Sequence, residues 1–444
     1  MKKKDIRVEV LTIKEITTEQ ETKNTNKREV KPINNYIQQM NLFSLEDLFD
    51  LQGKTKLELI FEDIDLKPVV KSLSTNSKKG PKGYDIKAII RAFLAQRIEN
   101  IPTRVALVRR LKEDPVFSYV CGFGFYSKVP SEATLSRYFK KLSESDSLET
   151  LYHNLLDKAH QIDIINPETA AIDASKLTSY ERAKPRSQVD KDNPNTPDWG
   201  SKYDSHHNKI TWFGWKVHLA VDTSSELPLA ISLTPANESD GNEALPLVQK
   251  VSQILNGIKC QQPDFWTMDS AYDRHTIYEQ ILFDYDAQAI IPINTRNSDQ
   301  PPAGYYDYKG TPICSAGHKM VYWGHYNGDN KFRCPHVCDK VDCVHGSAWC
   351  SDSNYGHVTK TRPKQDPRYI SIPHRDSSTW DDIYDKRTSV ERTFSRLKEQ
   401  LGLKNVRVKG KKKVMTHILL SCIGLITAKI VTERFKNQQE DQVA

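Results

Sequence analysis

The chain has 444 residues, 27% of them charged and 38% hydrophobic, with a formal net charge of +7. That length exceeds one ordinary core and predicts two or three domains, and the composition fits a soluble globular protein rather than a membrane-embedded one. The positive charge is concentrated: residues 386–413 hold eleven Lys or Arg against two Glu, so the rest is close to neutral. A cationic block of this kind suggests a polyanion partner.

Met1-Lys2-Lys3-Lys4-Asp5 has no apolar run behind its lysines, so no secretory signal is expected. Ile6, Val8 and Val10 alternate and predict a short strand over 6–16. Residues 17–31 are polar and read as a linker, 36–75 predict short helices, and 1–75 as a whole is expected to form an arm and linker. Three helices are predicted between 80 and 142. Tyr84-Asp85 opens the first, with Ile86, Ile89, Ile90, Phe93, Leu94 and Ile98 at helical spacing. Pro102-Thr103 starts the second, through Leu111, and Ser131 is the expected N-cap of the third. The third helix carries Ser136, Arg137, Lys140 and Lys141, candidates for a DNA groove.

Further on, Ala170-Ala171-Ile172 runs into Asp173, as a central strand delivering a carboxylate to its end would. Residues 179–208, with Pro185, Pro194 and Pro197, predict a long loop. Strands are expected over 213–221 and 227–233, joined as a hairpin through Asp222 to Glu226. Lys216 and His218 share a face of the first strand, which reads as solvated, and Asp240 reads as a loop residue. A helix over 243–255, a strand running from Phe265 to Asp269, a helix to about 283 and a strand over 287–292 follow. Residues 294–380, rich in Gly, Pro, Cys and aromatics, break this alternation.

From Asp381 to Leu401 there is no Pro or Gly; two carboxylates stand at the start and Gly402 at the end, which predicts one helix. On a wheel of about 100° per residue, Ile383, Val390, Phe394, Leu397 and Leu401 form an apolar arc. Tyr384, Arg387, Glu391 and Lys398 form a polar arc beside it. One carboxylate among two cations and a phenol suits a metal ion and a phosphodiester. The most apolar stretch, 418–428, predicts a buried helix and is short for a membrane span.

The pattern Tyr384-x2-Arg387-x3-Glu391-x6-Lys398 resembles the signature around the last catalytic carboxylate of bacterial insertion-sequence transposases with a DDE catalytic domain. Thr234-Pro235-Ala236-Asn237 with Asp240, and Asp269-Ser270-Ala271-Tyr272, resemble two further motifs of that family. The resemblance covers about 80–428 and implies an α/β fold. In it, a ribonuclease H-like catalytic domain over 165–293 and 381–435 is interrupted by a cysteine-rich insertion, 294–380, and preceded by an all-helical DNA-binding domain, 76–150. It implies that Asp173, Asp269 and Glu391 hold Mg²⁺ or Mn²⁺, as two ions about 4 Å apart. By the same resemblance, Tyr384, Arg387 and Lys398, with Arg392 and Arg396, contact DNA phosphates.

The implied reaction cuts double-stranded DNA at the terminal inverted repeats of a mobile element and joins the 3′-hydroxyls to target DNA. A homodimer would synapse the two ends in the bacterial cytoplasm. A nuclease of the same fold and an inactive zinc-containing DNA-binding protein are the alternatives. Cys334-x3-Cys338-x4-Cys343-x6-Cys350 suggests structural Zn²⁺. Cys314 and His318 with Cys334 and Cys338 form a second possible set, and an iron–sulfur cluster or unligated thiols remain open. Trp323, Trp349 and Trp380 are candidates either for stacking on a displaced base or for packing.

Overall fold

Helix starts in the N-terminal half are set by short polar side chains. Asp85, Thr103, Asp114 and Ser131 each accept a hydrogen bond from a backbone N–H of the first turn they precede. The computed structural model describes residues 54–74, 83–124, 127–190, 193–203, 206–295, 301, 305–346 and 348–443. The strand expected over 6–16, the linker after it and any helix over 36–53 lie outside these residues.

The chain divides into two units, 1–63 and 64–444. Described residues of the first form α1 (Lys56–Glu62), opened by a capping box between Thr55 and Glu58. The second begins with α2 (Lys67–Leu73), α3 (Ile86–Ile98), α4 (Arg104–Glu113), α5 (Pro115–Cys121), α6 (Glu132–Ser143) and α7 (Ser147–Gln161). The three helices expected between 80 and 142 are present as α3, α4 and α6. On α6, Ser136 accepts a hydrogen bond from Arg104 at 2.7 Å, whereas Arg137, Lys140 and Lys141 face outward.

A mixed sheet follows: β1 (Thr169–Thr178), β2 (Asp198–Tyr203), β3 (Lys209–Asp222) and β4 (Pro228–Pro235), then α8 (Asp240–Gly257), β5 (Phe265–Thr267), α9 (His275–Tyr285) and β6 (Gln288–Ile290). Strand order is β2-β3-β1-β5-β6, with β4 on the β2 side of β3. β3 is antiparallel to β1, β2 and β4, whereas β5 lies parallel to β1 and β6. Two expectations change here. Asp173 is not at the end of β1, because pairing with β3 carries the strand on to Thr178↔Gly214. Its parallel neighbour β5 stops at Ala171↔Thr267, so Asp173 stands just beyond the end of that pairing. The expected loop over 179–208 contains β2, which prolongs the sheet along β3. Gly214 makes the join possible, since a Cβ there would stand 2.3 Å from the Leu177 carbonyl oxygen.

Between β6 and the last helices the chain forms a three-stranded antiparallel sheet of β7 (Val321–Tyr326), β8 (Asp329–Arg333) and β9 (Val358–Thr361). The predicted helix over 381–401 is two helices, α10 (Ser378–Asp385) and α11 (Thr388–Glu399). Ser377, not an aspartate, caps the first. The break lies at Lys386-Arg387, where tight bonds such as Ser389 N–H to the Lys386 carbonyl (3.0 Å) replace helical ones. α12 (Lys411–Val443) is the buried helix expected over 418–428, but longer, because its polar C-terminal part stays helical. By length and composition it could cross a membrane, yet 78% of its apolar window is buried within the fold. α12 packs on α3, α6 and α7, and Arg97 reaches His417 Nδ1 at 3.0 Å.

One buried ion pair ties the segment after β9 to the large sheet. Arg368 donates to both carboxylate oxygens of Asp273, at 3.0 and 2.8 Å, and the Asp273 side chain is 1% exposed. Tyr278 and the Asn294 N–H bond the same carboxylate, whose pKa stays below the usual range because these bonds outweigh burial. Removing one member of such a pair leaves an uncompensated buried charge. Asp273→Ala is expected to lower the unfolding free energy by about 3 kcal/mol in urea titrations; a loss within ~0.5 kcal/mol, the range of an ordinary surface change, would contradict this.

Candidate active site

The apolar arc read from the sequence brings α11 to the sheet. Val390, Phe394, Leu397 and Leu401 are buried, and α11 packs on β1 and β3. α10 docks through Trp380 and Ile383 beside Ile290, and Trp380 stacks on Tyr384 with ring centroids 5.2 Å apart. Trp380 is thus a packing residue of α10, whereas Trp323 and Trp349 are more than half exposed. A polar clamp adds to the fit. Glu226, at the turn between β3 and β4, forms ion pairs with Arg392 and Arg396, and its carbonyl accepts from Thr393 Oγ1 at 2.9 Å.

This packing brings charges from three elements together. Asp173 comes from β1, Asp269 from just beyond β5, and Glu391 and Arg387 from the α11 region. Arg387 Nη2 donates to Glu391 Oε1 at 2.7 Å, and the Arg387 guanidinium carbon lies 5.8 Å from the Tyr384 ring centroid. Asp173 is partly buried, and its Oδ1 accepts the Ala174 N–H at 2.7 Å. Burial pushes its pKa up to about 7; the backbone bond and Arg387 oppose this, and the charges of Asp269 and Glu391 add to it. Asp269 is raised as well, first by burial, with Asp240 and Glu391 adding and Arg387 opposing. Lys398 Nζ donates to Ser175 Oγ at 2.5 Å, two residues along β1 from Asp173. Burial depresses the Lys398 ammonium, and Lys202 and Lys176 repel it further.

Not every expected site residue stands free. Arg392 and Arg396 hold Glu226, so a DNA phosphate would compete with that pair. Lys216 and His218 do not form a solvated face: Lys216 bonds Asp240 at 2.8 Å, and His218 is fully buried with Nε2 on Thr234 Oγ1 at 2.7 Å. Reading the chain alone missed Glu226 and Tyr272. Glu226 has φ +58, and a left-handed residue in a short hairpin connection was the available signal.

Among the described residues, no three His, Cys, Asp or Glu side chains stand close enough about one point to hold a metal ion. The zinc expectation therefore finds no support. Cys334, Cys343 and Cys350 line a small cavity with Cys314, His318, His336 and His357, but Cys338 is not among its walls, and all eight cysteines are free thiols. At the carboxylates, the donor chemistry does suit a hard divalent cation. Like charges crowd a poorly solvated edge, and Glu391 would need to turn from Arg387 to join Asp173 and Asp269. A folded-state value near 7, against about 3.9 for free Asp, means that ionised Asp173 costs stability above pH 7. That cost fades as pH falls through 7 toward 4. Asp173→Asn is expected to raise the unfolding free energy of the metal-free protein at pH 8 by on the order of 1 kcal/mol. The gain should vanish near pH 4 and narrow with Mg²⁺; an equal gain at both pH values in urea titrations would contradict this.

A family described as the transposase DDE domain matches residues 166–426, and one described as a transposase domain (DUF772) matches residues 43–141. None of the curated proteins compared matches the chain. Among solved structures, the cryo-EM structure of a piggyBac transposase synaptic complex with hairpin DNA is similar at 10% identity, over 87% of this chain and 75% of that one. Its TM-score is 0.38, too low to carry an argument. The first match spans more than half of the residues, contains all three carboxylates and reaches α12: the chain belongs to the DDE-domain transposases of insertion sequences.

Proposed function

We propose that this transposase cuts DNA at the ends of its insertion sequence and joins them to target DNA by metal-assisted phosphoryl transfer. The observation that carries the reading is the convergence of Asp173, Asp269 and Glu391, from a strand, a post-strand turn and a helix, around one guanidinium. The order β4-β3-β1-β5-β6, antiparallel on one side of β1 and parallel on the other, supports a ribonuclease H-like catalytic domain over 165–293 and 381–435. Its cysteine-rich insertion would be 294–380, and the helices of 76–150 would form a DNA-binding domain ahead of it. The partners proposed are terminal inverted repeats and target DNA, held by a homodimer in the bacterial cytoplasm.

Mg²⁺ or Mn²⁺, bound as two ions, would activate the attacking hydroxyl and stabilise charge on the leaving oxygen. Asp173, Asp269 and Glu391 would supply the hard oxygen ligands. Arg387 neutralises Glu391 in the metal-free state, and its planar fork suits a phosphate once Glu391 turns away. Lys398, aligned by Ser175 beside Asp173, presents a point charge to a neighbouring phosphate. Tyr384, braced by Trp380, limits how far Arg387 can swing. Arg392 and Arg396 would act first by holding α11 in register through Glu226, and any contact with DNA would be secondary.

Cleavage and joining on a DNA fragment carrying the element's ends test this directly. With Mg²⁺, wild type is expected to give nicked and joined products, neither of them in EDTA. Glu391→Gln is expected to lose at least ~100-fold in rate, about 2.7 kcal/mol of transition-state stabilisation. Metal-dependent cutting without joining would make the protein a nuclease, and DNA binding with no cleavage in either protein would overturn the catalytic reading.

A further inference from the structure

Tyr272 closes the single-turn 3-10 segment Ser270–Tyr272, and its N–H donates to the Asp269 carbonyl at 3.1 Å. The turn is fixed from its other end too, since Asp269 Oδ1 accepts the Ala271 N–H at 2.9 Å. The ring that follows is 1% exposed, and its hydroxyl is buried with no hydrogen-bond partner among the described residues. Phenylalanine would fill the same space without burying that hydroxyl, whose isolation costs a folded protein free energy. Packing therefore accounts for the ring and leaves the oxygen unexplained.

The groups that face the oxygen are carboxylates. After burial itself, the charges of Asp173, Asp240, Asp269 and Glu243 hold the phenol in its protonated, donor form. Two of these four are already engaged: Asp240 by Lys216 at 2.8 Å and Glu243 by Ser232 at 2.5 Å. Asp173 and Asp269 each use Oδ1 on a backbone N–H, at 2.7 and 2.9 Å. An ionised carboxylate only accepts hydrogen bonds, and a phenol can donate one. A donor with no partner, beside two carboxylates that would ligate the same cation, is suited to orient them.

We propose that Tyr272 is a positioning residue for the Asp173–Asp269 pair: when a divalent cation is bound, its hydroxyl donates to a carboxylate oxygen that the ion leaves unused. The inference rests on the metal reading of the site and adds to it a residue outside the acidic triad. Groups that bond ligating carboxylates fix their orientation, and losing one typically weakens metal binding by about 10–100-fold.

Mn²⁺ titration of the full chain, followed by electron paramagnetic resonance, separates this role from packing when wild type and Tyr272→Phe are compared. The variant is expected to bind Mn²⁺ about 10–100-fold more weakly. The metal-free variant, measured in urea, should be as stable as wild type or more so. The Mg²⁺ concentration for half-maximal DNA cleavage should rise by the same factor as the Mn²⁺ affinity falls. Unchanged Mn²⁺ affinity overturns the proposal, and so does destabilisation of the metal-free variant, which would mean that the hydroxyl is already bonded at rest. A wild type that binds no Mn²⁺ overturns the metal reading itself, and this inference with it.

Discussion

Glu226 and the two arginines that hold it fix the helix on which the site depends. The Glu226 side chain is 14% exposed and lies between guanidinium groups one helical turn apart on α11. A non-glycine residue at φ +58 is held against its own steric preference, by on the order of 1 kcal/mol. Two charge-assisted bonds and the Thr393 hydroxyl on the same residue offset that cost. They also set the register of α11 against the β3–β4 turn. Rotation of α11 by one residue would turn Glu391 about 100° away from Asp173, so the clamp and the apolar arc of Val390, Phe394 and Leu397 must agree, and they do.

With α11 held, the electrostatics follow. β1 passes Asp173 where its parallel neighbour has ended and its antiparallel neighbour continues. That edge exposes a carboxylate to α11 while limiting its solvation. Asp269 arrives from the turn after β5, and Arg387 is the cation that keeps the assembly tolerable in the absence of metal. The site is thus strained electrostatically toward cation binding, and stability is given up where negative charge must gather. Tyr272 shows the same pattern, as a polar group without a hydrogen-bond partner at rest among the described residues.

Local signals made much of this legible in the sequence. Asp85, Thr103 and Ser131 announced their helices because capping is decided within a few residues. The apolar arc of 383–401 survived as the packing face of two helices. What the sequence concealed was set by distant partners. The break at Lys386-Arg387 carries no Gly or Pro, and α10 and α11 dock on different parts of the sheet. β2 was hidden in a proline-containing stretch because its strand character comes from pairing with the far half of β3. Arg392 and Arg396 looked like phosphate contacts because nothing near them in sequence reveals Glu226, over 160 residues earlier. The cysteine spacing suggested four ligands, yet Cys338 is left out of the cavity that the other three share with Cys314.

The most direct test of the central claim replaces Mg²⁺ with Fe²⁺ and adds ascorbate, so that hydroxyl radicals formed at the ion cut the nearby backbone. Mass spectrometry of the fragments then maps the cation onto the chain. Cuts clustered near Asp173, Asp269 and Glu391, suppressed by excess Mg²⁺ and lost in Asp173→Asn, are the expected result. Cuts confined to the cysteine-rich segment between Cys314 and Cys350, or spread without a cluster, would contradict the claim that these three carboxylates form one cation site.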